Sequence, residues 1–174
     1  MSADIRRARL ARRAYVLAGF GLLAVLGLGR RIPAAAAGSG GERFEVEHTE
    51  QEWRALLTAE QFDVLRRQGT ERPFTSALNH EKHRGIFRCA GCELALFSSE
   101  TKFDSGTGWP SFWKPLDNAV VTAPDNSFGM ARTEVRCRRC GGHLGHVFDD
   151  GPPPTGLRYC MNGVAMKFEA ASRS

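Results

Sequence analysis

Two short stretches of helical apolar periodicity open the body of the chain. Thr49-Glu50-Gln51-Glu52 fits a capping box, in which the threonine hydroxyl and the glutamate carboxylate satisfy the free amides at a helix start, and Trp53, Leu56 and Leu57 then fall on one face. Thr58-Ala59-Glu60-Gln61 repeats the signal, with Phe62 and Leu65 as its apolar positions and Gly69 as the stop. Beyond Pro73 the period changes to two. Ala131, Thr133, Val135 and Cys137 alternate with Arg132, Glu134 and Arg136, and Val164, Met166 and Phe168 alternate with Ala165, Lys167 and Glu169. Short strands are also expected at 85–89, 94–97, 119–121 and 146–148, punctuated by Gly and Pro. The pattern predicts a mainly β domain of antiparallel strands with short N-terminal helices.

The first forty residues belong to a different segment. Residues 1–37 hold seven arginines against Asp4 alone, so the formal charge of +5 is the leader's; the remainder carries 17 basic and 18 acidic side chains. A near-neutral body leaves no footprint for nucleic acid. In the leader a basic stretch ending at Arg12-Arg13 precedes a 16-residue apolar run, Ala14 to Gly29, then Ala34 to Ala37 as an A-x-A-like cleavage site. The run is shorter than the roughly 20 residues of a spanning helix. Arg-Arg-Ala-Tyr-Val-Leu resembles a twin-arginine signal, which implies export, to the periplasm, of an already folded protein. A general secretory signal and an uncleaved N-terminal membrane anchor are the alternatives; cleavage would leave no stable membrane insertion. Residues 38–47, opening Gly38-Ser39-Gly40-Gly41, read as a flexible linker, and 48–170 as the functional domain.

Composition changes the picture most at the five cysteines. Cys89-Ala-Gly-Cys92 and Cys137-Arg-Arg-Cys140 are two C-x-x-C knuckles separated by 44 residues, which would supply four soft ligands to a closed tetrahedral zinc site. Two disulfides, or one redox C-x-x-C, are the other readings. Cys160 stands alone. On a strand, Arg158, Cys160 and Asn162 would share a face, and a cation two positions from a thiol favours the thiolate. His143 and His146 follow the second knuckle closely enough to be held by it, and imidazoles relay protons near neutral pH. His80 and His83 have the same spacing without supporting context and read as surface residues. Gly108-Trp109-Pro110-Ser111-Phe112-Trp113 packs three aromatics into six residues; Phe112 and Trp113 read as core, and Trp109, on a constrained turn, as a pocket wall.

From Thr49 to Ala170 the chain resembles the B-type methionine-R-sulfoxide reductases. The resemblance rests on Glu71-Arg72-Pro73-Phe74, both knuckles, Lys102-Phe103-Asp104-Ser105-Gly106, Gly108 to Phe112, His143 to Phe148, Asp150-Gly151-Pro152, Pro154 to Cys160, and Asn162. It implies two antiparallel sheets stapled by a structural zinc on Cys89, Cys92, Cys137 and Cys140. Cys160 would attack the sulfur of methionine sulfoxide and end as a sulfenic acid. His143 and His146 would donate protons to the sulfoxide oxygen, Arg158 and Asn162 would stabilise the thiolate and orient groups near it, and Trp109 would line the pocket for the S-methyl group. The partners implied are oxidised proteins carrying methionine-R-sulfoxide and an external, thioredoxin-like thiol reductant.

Two departures stand out. Many relatives carry a resolving cysteine where this chain has Thr107, so an external reductant must act on the sulfenic acid directly. Gly163 replaces the usual serine, a change expected to alter packing. Readings from other classes are a zinc-ribbon binding module without catalysis and a thiol hydrolase using Cys160 with a histidine base.

Overall fold

The computed structural model describes residues 43–172; the expected export signal and residues 38–42 of the expected linker lie outside them. Residues 43–47 are tied to the domain, since the Val46 amide donates to the Arg139 carbonyl at 3.0 Å and the Phe44 ring lies over Gly141.

Both capping boxes form, and they start α1 (Glu50–Leu56) and α2 (Ala59–Arg67). Trp53, Phe62, Val64 and Leu65 are buried, but Leu56 is not on the packed face: it is 61% exposed. The stop of α2 also differs from expectation. Gln68, not Gly69, takes the left-handed conformation (φ 58°), and the Gly69 amide then closes the turn on the Asp63 carbonyl. That backbone costs about 1 kcal/mol for a residue with a side chain. It delivers the Gln68 amide to the Glu134 carboxylate at 3.1 Å.

Nine strands follow: β1 (Gly85–Cys89), β2 (Ala95–Ser98), β3 (Lys102–Phe103), β4 (Ser111–Phe112), β5 (Val120–Asp125), β6 (Arg132–Cys137), β7 (His143–Phe148), β8 (Arg158–Met161) and β9 (Met166–Ala170). They form a three-stranded sheet, β2-β1-β9, and a six-stranded sheet, β3-β4-β8-β7-β6-β5, with every pair antiparallel. The mainly β architecture expected from the alternation is the one observed. The alternation of Val164 does not extend the last strand, because Gly163–Ala165 turn as a 3-10 helix before β9.

The sheets meet through aromatics. Phe97 of β2 stacks on Phe112 of β4 with centroids 4.4 Å apart, and Phe87 of β1 meets Phe112 edge-on at 4.9 Å. All three are fully buried, and each such ring stabilises by roughly 1.5–3 kcal/mol over its exposed state. Trp113, expected in this core, is only half-buried.

Gly163 has a steric cause. A Cβ there would lie 1.9 Å from the Ser76 hydroxyl oxygen and 2.7 Å from the Ser76 Cβ. Ser76 cannot simply rotate away, since its hydroxyl accepts the Leu78 amide at 3.2 Å as the cap of the 3-10 helix Ala77–His80. Gly163→Ser is therefore expected to destabilise the fold by roughly 1–3 kcal/mol, the usual cost of overpacking. Ser76→Gly in the same chain should restore most of that loss. Urea unfolding of the two single variants and the double variant measures the coupling; additive losses would refute the steric account.

Candidate active site and metal centre

The site is assembled on β7 and β8, and its geometry starts from a bulge. Val135 of β6 pairs with Gly145, yet the next residue, Arg136, pairs with His143, which leaves Leu144 as an extra residue in β7. In a regular strand His143 and His146 would point to opposite faces. The bulge reverses parity and brings both to the face that carries Glu134. Their rings lie 5.4 Å apart.

Each histidine meets a carboxylate that the sequence pattern did not single out. His143 Nδ1 is 2.7 Å from Glu134 Oε1, and both groups are buried. The alternation had set Glu134 on the polar face of β6; it turns inward to pair with His143 and to accept from Gln68. His146 Nε2 is 2.7 Å from Asp125 Oδ2, an oxygen that also accepts from Arg132 at 2.7 Å. Hydrogen bonds from Ser127, and then from His146, hold the Asp125 carboxyl well below the usual range. Burial pushes His143 down despite Glu134, so its resting imidazole is neutral.

Cys160 sits at the centre of β8. It pairs with His146 on one side and with Ser111 of β4 on the other, which sets three side chains on one face. Its sulfur is 3.8 Å from the Thr107 hydroxyl. Burial pushes the Cys160 thiol up; the Thr107 hydroxyl, the Arg158 guanidinium and the Ser111 hydroxyl pull it down without overcoming burial. The cation near the thiol thus acts in the expected direction but is outweighed. Arg158 is itself clamped, with its Nε and Nη2 each donating to Asp150 at 2.8 Å and its guanidinium carbon 4.3 Å from the centre of the Phe148 ring.

Asn162 follows β8 in extended backbone, two residues from Cys160. The strand ends at Met161, and Asn162 turns into the interior, where its amide nitrogen donates to the Leu144 carbonyl at 3.1 Å and its oxygen accepts the Glu71 amide at 3.0 Å. It grips the bulge residue. Glu71, which the sequence offered as part of a motif but without a role, is a third partner of this kind. Its carboxylate accepts the Gly163 and Val164 amides at 2.6 and 2.9 Å, and its carbonyl accepts the Trp109 indole N–H at 3.1 Å, which fixes that half-buried ring. His80 and His83 are surface residues, the latter against Glu81 at 2.8 Å.

The four knuckle cysteines converge as expected. Both turns have one geometry: the first cysteine accepts the amide of the residue four positions on, which is left-handed (Glu93 at φ 60°, Gly141 at φ 69°). Their sulfurs all lie within 4.8 Å of one another, with Cys89–Cys140 at 3.7 Å and Cys92–Cys137 at 3.5 Å. Disulfide sulfurs would be about 2 Å apart. A tetrahedral metal–thiolate centre with bonds of about 2.3 Å needs sulfur separations of about 3.8 Å. The four cysteines could hold a metal ion, and as a closed set they leave it no open position.

A two-sheet β domain with four converging sulfurs and a separate half-buried thiol beside paired histidines is the arrangement of a thiol-dependent enzyme. The SelR domain model matches residues 57–170. The chain is 56% identical over 126 residues to the peptide methionine sulfoxide reductase MsrB of Pseudomonas putida (strain W619), covering 72% of this chain and 95% of that protein. The MsrB of Agrobacterium fabrum is 55% identical over 126 residues (72% and 93%), and that of Leptospira interrogans 52% over 127 residues (72% and 97%). The chain belongs to the MsrB family.

Because binding free energy at a closed metal centre is folding free energy, Cys137→Ser is expected to lose bound metal and to cost stability on the order of several kcal/mol. Metal content per chain and the thermal midpoint of the variant measure this. Unchanged metal stoichiometry would exclude Cys137 as a ligand.

Proposed function

We propose that the chain reduces methionine-R-sulfoxide in oxidised proteins to methionine, with Cys160 as the attacking thiol. The observation that carries the reading is the cross-strand pairing of Cys160 with His146 and Ser111, with His143 brought alongside by the Leu144 bulge. A carboxylate partner sets each histidine's tautomer, so the ring proton sits on the nitrogen facing Glu134 or Asp125 and the other nitrogen is left as an acceptor.

The resting proton inventory then defines the route. Cys160 is a thiol and His143 is neutral, so a histidine takes the thiol proton as sulfur attacks and returns it to the sulfoxide oxygen. A bond forms between the Cys160 sulfur and the substrate sulfur while the sulfur–oxygen bond breaks and the oxygen leaves protonated as water; water then adds to the Cys160 sulfur and breaks the sulfur–sulfur bond, which releases methionine, returns one proton to the histidines and leaves Cys160 as a sulfenic acid. The methionine sulfur gains two electrons and the cysteine sulfur loses two. Trp109, held by Glu71, walls the methyl pocket, and Arg158 limits the cost of the transient thiolate. Asn162 acts through the Leu144 bulge rather than on sulfur.

Zinc is the ion proposed for the four-sulfur centre, where soft thiolates favour it; it would hold the fold and take no part in the chemistry. Thr107 supplies no thiol near Cys160, and the other four cysteines are ligands. The sulfenic acid therefore passes to an external, thioredoxin-like dithiol, which becomes a disulfide while the oxygen leaves as water.

With a chemical dithiol the enzyme should turn over the R epimer and leave the S epimer untouched, and Cys160→Ser should be inactive. One turnover without reductant should add a single oxygen atom at Cys160, read by mass spectrometry. Turnover of neither epimer would overturn the proposed function. An intramolecular disulfide in place of the added oxygen would show that a knuckle cysteine resolves the intermediate.

The leader supports export through the twin-arginine route, with the enzyme acting in the periplasm after cleavage. Replacing Arg12 and Arg13 by lysine should retain the protein in the cytoplasm, measured by cell fractionation. Unchanged export would assign the general secretory route instead, and an intact N-terminus on the exported protein would assign a membrane anchor.

A further inference from the structure

The loop that lacks a resolving cysteine is not chemically empty. Four side chains form a continuous chain: Cys160 Sγ to Thr107 Oγ1 at 3.8 Å, Thr107 Oγ1 to Ser105 Oγ at 2.8 Å, Ser105 Oγ to Ser111 Oγ at 2.7 Å, and Ser111 Oγ to the Trp109 carbonyl at 3.1 Å. Ser111 is fully buried. The loop is held from several sides, with Gly106 and Gly108 in positive-φ backbone and the Gly106 amide on Asp104 at 3.0 Å.

Each hydroxyl has one proton to donate, so the order of donors is determined from one end. The Trp109 carbonyl can only accept. With Ser111 donating to it, Ser105 must donate to Ser111, Thr107 to Ser105, and the Cys160 S–H to Thr107. This is the order for the resting thiol. A thiolate reverses it. Thr107 then donates to the sulfur anion, Ser105 to Thr107 and Ser111 to Ser105, and the Trp109 carbonyl gives up its serine donor. A partial reversal would leave two oxygens 2.7–2.8 Å apart with no proton between them, so the chain turns over as a unit.

We propose that Ser105, Thr107 and Ser111 form a reversible hydroxyl relay that stabilises the Cys160 thiolate, with Thr107 as the catalytic donor to sulfur, Ser105 as a positioning residue that acts through it, and Ser111 acting both through the chain and directly as the cross-strand neighbour of Cys160. The relay rests on the reading of Cys160 as the attacking thiol. It provides at Thr107 a function of its own at the position where relatives have a resolving cysteine. Because the terminal acceptor is the carbonyl of Trp109, the relay also joins the ionisation of Cys160 to the residue proposed to wall the methyl pocket.

The test is the pH profile of iodoacetamide alkylation at the Cys160 peptide in the metal-loaded enzyme, followed by mass spectrometry. It needs no sulfoxide, so it separates failure of the relay from failure of the proposed activity. Thr107→Val should raise the profile midpoint and slow alkylation below it by about three- to tenfold, the range for losing one ordinary net hydrogen bond. Thr107→Ser should restore the wild-type profile. Ser105→Ala and Ser111→Ala should each shift the midpoint in the same direction by less. A wild-type midpoint in Thr107→Val, or a Thr107→Ser profile matching that of the valine variant, would overturn the proposal. So would an unshifted profile in Ser105→Ala, since Ser105 reaches the sulfur only through Thr107.

Discussion

The four-sulfur centre is the constraint on which the rest of the structure depends. Cys89 and Cys92 lie at the end of β1 in the small sheet, whereas Cys137 and Cys140 lie at the end of β6 in the large one. A metal at this point would cross-link the two layers at positions 44 residues apart in the chain, in addition to the shared core that includes the Phe87–Phe97–Phe112 cluster. The second knuckle is also the turn that starts β7. The Cys137 amide is bound to the Gly142 carbonyl at 2.8 Å, and His143 follows immediately. Fixing this turn fixes where the Leu144 bulge falls, and the bulge decides whether His143 reaches the Cys160 face. A metal held by the four sulfurs would thereby set where His143 falls relative to Cys160.

Burial and charge pairing compete throughout the site. Burial keeps Cys160 protonated and His143 neutral, while Arg158, Thr107, Ser111 and Glu134 favour the charged forms. The balance suits a reaction that moves one proton from sulfur to oxygen. A permanently ionised thiolate would have no proton to give, and a permanently charged histidine would have to be discharged before it could accept one. The two carboxylates do not reverse the balance. They fix ring orientation and tautomer, as a carboxylate does for a catalytic histidine in other folds.

Much of this was legible in the residues. The threonine caps of both helices, most strands, the convergence of the knuckles and the candidate status of Cys160, His143 and His146 follow from local spacing. What escaped has one physical cause: residues governed by distant partners. Glu134 breaks its alternation because a buried imidazole awaits it across the bulge. Gln68 accepts a left-handed backbone because its amide reaches Glu134. Asn162 is fixed one residue beyond the strand by Leu144 and Glu71, partners that the spacing of Arg158, Cys160 and Asn162 does not reveal. The two-residue strands β3 and β4 are too short for any period to mark. Of these, only Glu134 carried a cue, as an acidic residue on the strand before the histidines.

Glu71 completes the argument, because it explains how the site tolerates a changed position in the turn after Cys160. Its carboxylate caps the amides of Gly163 and Val164, its own amide is taken by Asn162, and its carbonyl holds the Trp109 indole. One residue thus ties the pocket wall, the turn after Cys160 and the clamp on the Leu144 bulge. Backbone amides at the turn do the binding, so the side chain at 163 is free to vary as long as its space is shared. Here Ser76 occupies that space and residue 163 is glycine. The constraint at 163 is volume, and it falls in the turn three residues after Cys160 whose amides the Glu71 carboxylate holds.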